Sequence, residues 1–193
     1  MSVIGEVTSA STTSFRAVAA EVFSPPAFGS FVRADGQQGR VFGVVARIET
    51  ASFDHQRRAI AFGLPWERLV REQPQLMELL QTEFDVAVIG YAGNGPGPRS
   101  LHHYLPPYPP RVHEFVSPCD PTEVAALTDS TEFIRTLSSV ELAPSHELVA
   151  AAIREASVAR GGDPAFVSEA ARAVADLYKD DYDTAMAIVR RLA

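Results

Sequence analysis

Gly39-Arg40-Val41-Phe42-Gly43-Val44-Val45-Ala46-Arg47-Ile48 decides how the first half of the chain folds. Val41, Gly43 and Val45 fall on one face of an extended strand and Phe42, Val44 and Ala46 on the other, because successive side chains point to opposite sides. Upstream, Phe15, Ala17 and Ala19 oppose Arg16, Val18 and Ala20 in the same way. Asp35-Gly36 and Gln38-Gly39 supply the turn between a strand ending near Arg33 and the one opening at Arg40, since glycine accepts positive φ. With Ile4-Gly5-Glu6-Val7 and Phe28 to Val32, four short strands precede Glu49, which favours a small barrel or sandwich. A closed barrel also removes the exposed edges that small β domains must otherwise protect.

Downstream the period changes. From about Asp54 to Glu83 the spacing is helical, with Leu69, Val70, Leu76, Met77, Leu79 and Leu80 set among charges, and Pro65 and Pro74 divide the stretch into short helices. Phe84 to Tyr91 then reads as the strongest strand of the chain, so residues 54–83 form a helical insertion between barrel strands. Residues 93–111 are Gly/Pro-rich loops, and Leu105-Pro106-Pro107-Tyr108-Pro109-Pro110 predicts an extended strap. Asp120-Pro121-Thr122-Glu123 combines an N-cap, a proline in the first turn and a carboxylate three residues on. It opens a helical region, with further helices from Ser145 to Gly161-Gly162, from Asp163-Pro164, and from Asp181 to Leu192. The fold expected is α+β: a closed barrel of about six strands over residues 1–117, then an acidic helical region over 118–193.

Composition narrows the function. The chain has 193 residues, 46% apolar and 21% charged, the profile of a folded globular protein. Its net charge of −7 lies wholly in the second half: residues 1–111 carry ten basic and ten acidic side chains, residues 112–193 seven and fourteen. An acidic second half disfavours general nucleic-acid binding. The start lacks a secretory pattern, no long apolar run suits a membrane, and the single Cys119 has no intrachain partner, so the cytoplasm is the expected compartment.

Residues that could carry chemistry do not assemble a site. The glycines at 93–97 lack the lysine of a phosphate loop, and Pro96 and Pro98 delete amide donors. His102 and His103 are adjacent and would point to opposite faces of a strand, which does not suit one metal ion. Cys119, His113 and Asp120 have the residue types of a thiol site, but nothing in the sequence sets a base beside the sulfur. No catalytic residue, cofactor or metal is expected, and the chain reads as a non-enzyme.

Ile4-Gly5-Glu6-Val7, Thr13-Ser14-Phe15-Arg16, Phe28-Gly29-Ser30-Phe31-Val32 and Gly39 to Val45 together resemble the HAS barrel, the N-terminal domain shared by HerA-type ATPases and ATP synthase subunits. The proline-rich stretch 105–110, Val112, Val116 and the 120–127 helix are similar to the exit from that barrel. The resemblance implies a non-catalytic ring-packing and docking domain, one that meets a motor ATPase or a nuclease. The chain has no Walker motif, so ATP hydrolysis is not carried over.

Three readings follow. The first is a protein-interaction or assembly module with a protein partner, a motor ATPase or nuclease, or with copies of itself. The second is a single-stranded nucleic-acid-binding barrel using aromatics beside arginines. The third is an enzyme whose site is built from distant residues. Contact residues are expected at a basic rim of Arg33 and Arg40, on the insertion at Arg57 and Arg58, and on the strap at Tyr104 and Tyr108. Phe15, Phe23, Phe28, Phe31 and Phe42 are expected to fill the barrel core.

Overall fold

The computed structural model describes residues 2–37, 39–53, 61–93 and 101–192. Among these residues, seven antiparallel strands form one sheet: β1 (Gly5–Ala10), β2 (Ser14–Ala19), β3 (Phe31–Gly36), β4 (Gly39–Ser52), β5 (Leu80–Gly93), β6 (Leu101–His102) and β7 (Phe115–Pro118). The order is β2-β1-β7-β3-β4-β5-β6, and an added pairing of β2 with β5 closes six of the strands into a barrel, with β6 attached outside the ring. The β3–β4 turn works because Gly39 sits at φ 142, and a side chain there would run into the Ala92 carbonyl on β5.

The barrel wall is buried on both faces, which is why β4 and β5 read as nearly unbroken apolar runs. Val7, Phe15, Ala17, Val32, Val41, Val45, Phe84, Val86, Val88 and Val116 fill the interior. Phe31, Phe42, Val44, Ala46, Ala87 and Ile89 face outward and are covered by helices. The alternation seen in the sequence thus divides an inner core from an outer one. Phe15 belongs to the first, Phe31 and Phe42 to the second, and Phe28 packs half-buried at its margin.

The covering helices are α2 (Pro121–Leu127), α3 (Glu132–Ser138), α4 (Ser145–Ala159), α5 (Pro164–Leu177) and α6 (Tyr182–Val189); α1 (Trp66–Glu72) lies in the insertion. The capping box at Asp120 forms as expected: its side chain accepts from the Glu123 amide while Glu123 accepts from the Asp120 amide. Helix α4 is the keel, burying Leu148, Val149, Ala152, Ile153 and Ala156. Arg160, just past its end, donates to the Ala125 carbonyl, Thr128 and Asp129 and stacks on Phe166, tying α2, α4 and α5 together. No helix among the described residues is long and apolar enough to cross a membrane.

One sequence expectation needs correction. Over its described residues the insertion is less helical than its spacing suggested: these hold α1 and a 3-10 turn at Pro74–Leu79, while residues 80–83 already belong to β5. Their strand state follows from the register with β4, where Thr50 faces Thr82 and Ser52 faces Leu80. Arg57 and Arg58 lie outside the described residues. The strap crosses the β3–β4 hairpin, with Gly36 bridging Pro110 and Pro106 buried, as a stiff connector would.

Candidate functional site

Strands β4 and β5 are each 14 residues long and outrun the barrel. Beyond Ala46, β4 is exposed from Arg47 to Ala51 and pairs with the opening residues of β5, forming a two-stranded arm. Phe53 donates to the Leu79 carbonyl at 3.0 Å and closes the far end, which carries the 3-10 turn and α1.

The arm, and the loop after β2 that packs on it, carry exposed aromatic side chains. Phe23 is 50% exposed and Trp66 48%, and their rings meet edge to face with centroids 5.2 Å apart. Phe53, Phe62 and Leu79 are exposed as well. Phe23 adopts φ 64, a left-handed conformation that costs a residue with a Cβ about 1–2 kcal/mol. The cost is met locally: the Phe23 amide donates to Thr82 Oγ1 at 2.9 Å, and Thr82, itself buried, bonds Thr50 at 2.8 Å. A strained backbone therefore holds a large apolar ring in solvent against the sole tryptophan, the reverse of what core packing would select. Phe23 had been expected in the core. Its exposure corrects that expectation, and the lone Trp66 directly after Pro65 was the sequence signal for this end of the arm.

One face of the arm is a charged ladder. Arg47 stands opposite Asp85 and Glu49 opposite Glu83. Arg16 reaches in from β2, bonding Asp85 at 2.7 and 3.0 Å and Glu83 at 3.4 Å. The hydrogen bond to Asp85 is the chief reason the Arg16 pKa rises further, against the opposing effect of burial.

The expected basic rim is spent internally. Arg33 is only 6% exposed and pairs with Glu123, and Arg40 bonds Glu123 at 3.1 Å and Asp35 at 3.2 Å. Two barrel arginines thus converge on the carboxylate that caps α2, fastening the helical region to the barrel. Arg33 offers nothing to an outside ligand, and the charge of Arg40 is already matched. With Phe15, Phe31 and Phe42 buried too, the aromatics and arginines that a base-stacking barrel would use are engaged elsewhere.

Tyr104 is exposed and clusters with Tyr91 and His102, its hydroxyl 3.1 Å from His102 Nδ1. A hydrogen bond to Tyr104 is the main reason the Tyr91 pKa is raised. Tyr104 also borders a cleft of about 690 Å³ between the strap, the start of β2 and α3, lined by His103, Leu105, Arg135 and Leu142 among others. Tyr108 is exposed on the strap over the Gly36–Gly39 turn. His113 is exposed and bonds Glu6 at 2.7 Å, whereas Cys119 packs against the helix-covered core, where burial pushes its pKa up to about 12. A thiol so hard to ionise is a poor nucleophile. No group of three or more metal-ligating side chains occurs among the described residues.

A closed, six-stranded antiparallel barrel with helices on its outer wall is the class this geometry defines. The family model described as HAS barrel domain matches residues 1–94, in agreement with the resemblance read from the strands of this stretch. HAS barrels are the N-terminal barrels of HerA-type ATPases and are non-catalytic domains. No curated protein matches the chain. The matched stretch ends before β7, so one stave of the barrel comes from sequence outside it.

Proposed function

We propose that this chain is a non-catalytic protein-interaction module, in which the barrel and its helices hold an arm whose aromatic residues dock a protein partner in the cytoplasm. The observation that carries this reading is Phe23: a positive φ, stabilised by a hydrogen bond to the buried Thr82, keeps its ring exposed beside Trp66. Exposed aromatics on a rigid support are what interface anchors require. The HAS barrel supports a partner of the motor ATPase or nuclease kind. Nucleic acid is the weaker alternative, because the arginines and most barrel phenylalanines named for it serve internal contacts.

Photo-crosslinking tests the proposal. A benzoylphenylalanine at Phe62 or Trp66, introduced in the native cells, is expected to trap a discrete protein adduct that the same probe at exposed Tyr182 does not. Equal adducts at the three positions, or none from the arm, would refute it. Labelled single strands should show no anisotropy change even at low salt, where phosphate contacts are strongest.

A further inference from the structure

Among the described residues, nothing pairs with the outer edge of β4 along the arm. Pairing on the β3 side ends at Val45, whose amide donates to the Ser30 carbonyl at 3.0 Å and whose carbonyl accepts from Gly29 at 2.8 Å. A register shift at Ala46 follows. The Phe53 to Leu79 bond fixes the phase beyond it: Ala51, Glu49 and Arg47, in step with Phe53, exchange main-chain bonds with β5. Ile48 and Thr50 therefore direct their N–H and C=O groups away from β5, and no described residue pairs with them there. Arg47 through Ala51 are all exposed.

Charge selects the occupant. Native proteins commonly guard such edges with charges that discourage a second strand. Here Arg47 and Glu49 are opposite in sign, share a face and sit 2.5 Å apart. An edge of one sign repels its own copy, whereas this one complements it. In an antiparallel pair about a two-fold axis, setting Ile48 against Ile48 of a second copy brings Arg47 against that copy's Glu49, and Glu49 against its Arg47. The next register that keeps the outward amides aligned puts Glu49 on Glu49, and the one after it leaves both charges unmatched. A slide the other way sets Arg47 on Arg47 and drives the strand into β3.

We propose that two copies of this chain pair through the β4 edges of their arms, antiparallel and centred on Ile48, joining the two arms into one four-stranded sheet. The inference rests on the reading of the arm as the binding element, but it uses the arm's edge rather than its aromatics. So short a ladder buries little surface and should give a weak dimer, dissociating in the micromolar range.

Light scattering of the full chain from micromolar to near-millimolar concentration reads the association. The unsubstituted chain should dimerise. Glu49→Arg, which leaves the monomer intact because Glu49 faces Glu83 across the arm, should weaken the dimer about tenfold by opposing like charges. Arg47→Glu with Glu49→Arg should restore it. In a Cys119→Ala background, Ile48→Cys should form a covalent dimer on mild oxidation, since directly opposed, hydrogen-bonded residues lie about 5.5 Å apart at Cα, within disulfide reach. Circular dichroism confirms that each variant is folded. A monomer at every concentration, a dimer indifferent to Glu49→Arg, or a double reversal that fails to restore association would overturn the proposal. None of these outcomes bears on the Trp66 adducts, so a failed dimer and a failed docking reading are told apart.

Discussion

Strands β4 and β5 live two lives. Between Val41 and Ala46 on one strand, and Val86 and Ala92 on the other, they form a wall with side chains packed inside the barrel and under the helices. A few residues on, as Arg47 to Ala51 and Leu80 to Glu83, the same pair stands largely clear of the barrel with a charged face and an edge that no described residue pairs. The difference teaches that pairing alone makes the strand, and that covering determines what the strand is for. The covered wall fixes the fold, and the arm is the part that the proposed docking would use.

Cysteine chemistry contrasts the two regions most strongly. With its pKa near 12 against an ordinary 9.0, Cys119 should alkylate about a thousandfold more slowly at pH 8 than a cysteine placed on the arm by Ile48→Cys, measured with iodoacetamide on the folded protein. Equal rates would mean that the thiol is not shielded. Because folding raises this pKa, the buried thiol's contribution to stability is complete below about pH 9 and is lost as the pH climbs toward 12. Cys119→Ala should flatten that alkaline decline.

Under the helices, Leu148→Ala should cost about 4 kcal/mol in urea unfolding, as a fully buried side chain leaves a cavity. Glu123→Ala should cost about 3 kcal/mol, because it strands the buried Arg33 charge as well as uncapping α2, and Glu123→Gln should cost less. On the arm, Trp66→Ala should change stability by no more than about 1 kcal/mol while abolishing the crosslinked adduct. The smallest effect isolates the backbone at Phe23: Phe23→Gly should be about 1 kcal/mol more stable than Phe23→Ala, since only glycine takes φ 64 without strain. If the two unfold alike, the strain is not there.

The barrel was legible because alternation is a local signal: Val41 to Ala46 announce both faces of a strand without help from distant residues. The capping box at Asp120 was legible for the same reason. The pairing of Arg33 and Arg40 was not legible because it is made with Glu123, more than 80 residues away in sequence, and no local pattern carries it. The arm was hidden for a related reason. Whether a paired strand is covered depends on where the helices stop, and Arg47-Ile48-Glu49-Thr50 marks that limit only once the fold is known.

Strand β7 has a consequence for biosynthesis. It slots between β1 and β3, pairing Val116 with Gly5 and with Ala34, so the ring cannot close until more than a hundred residues have been made. Until Phe115 to Pro118 leave the ribosome, β1 and β3 each present a bare edge to the crowded cell, and closure must bring the chain's beginning back to its middle. That long return favours slow folding. It also places the vulnerable moment late in synthesis, just before the Asp120–Glu123 cap emerges to lock Arg33 in place.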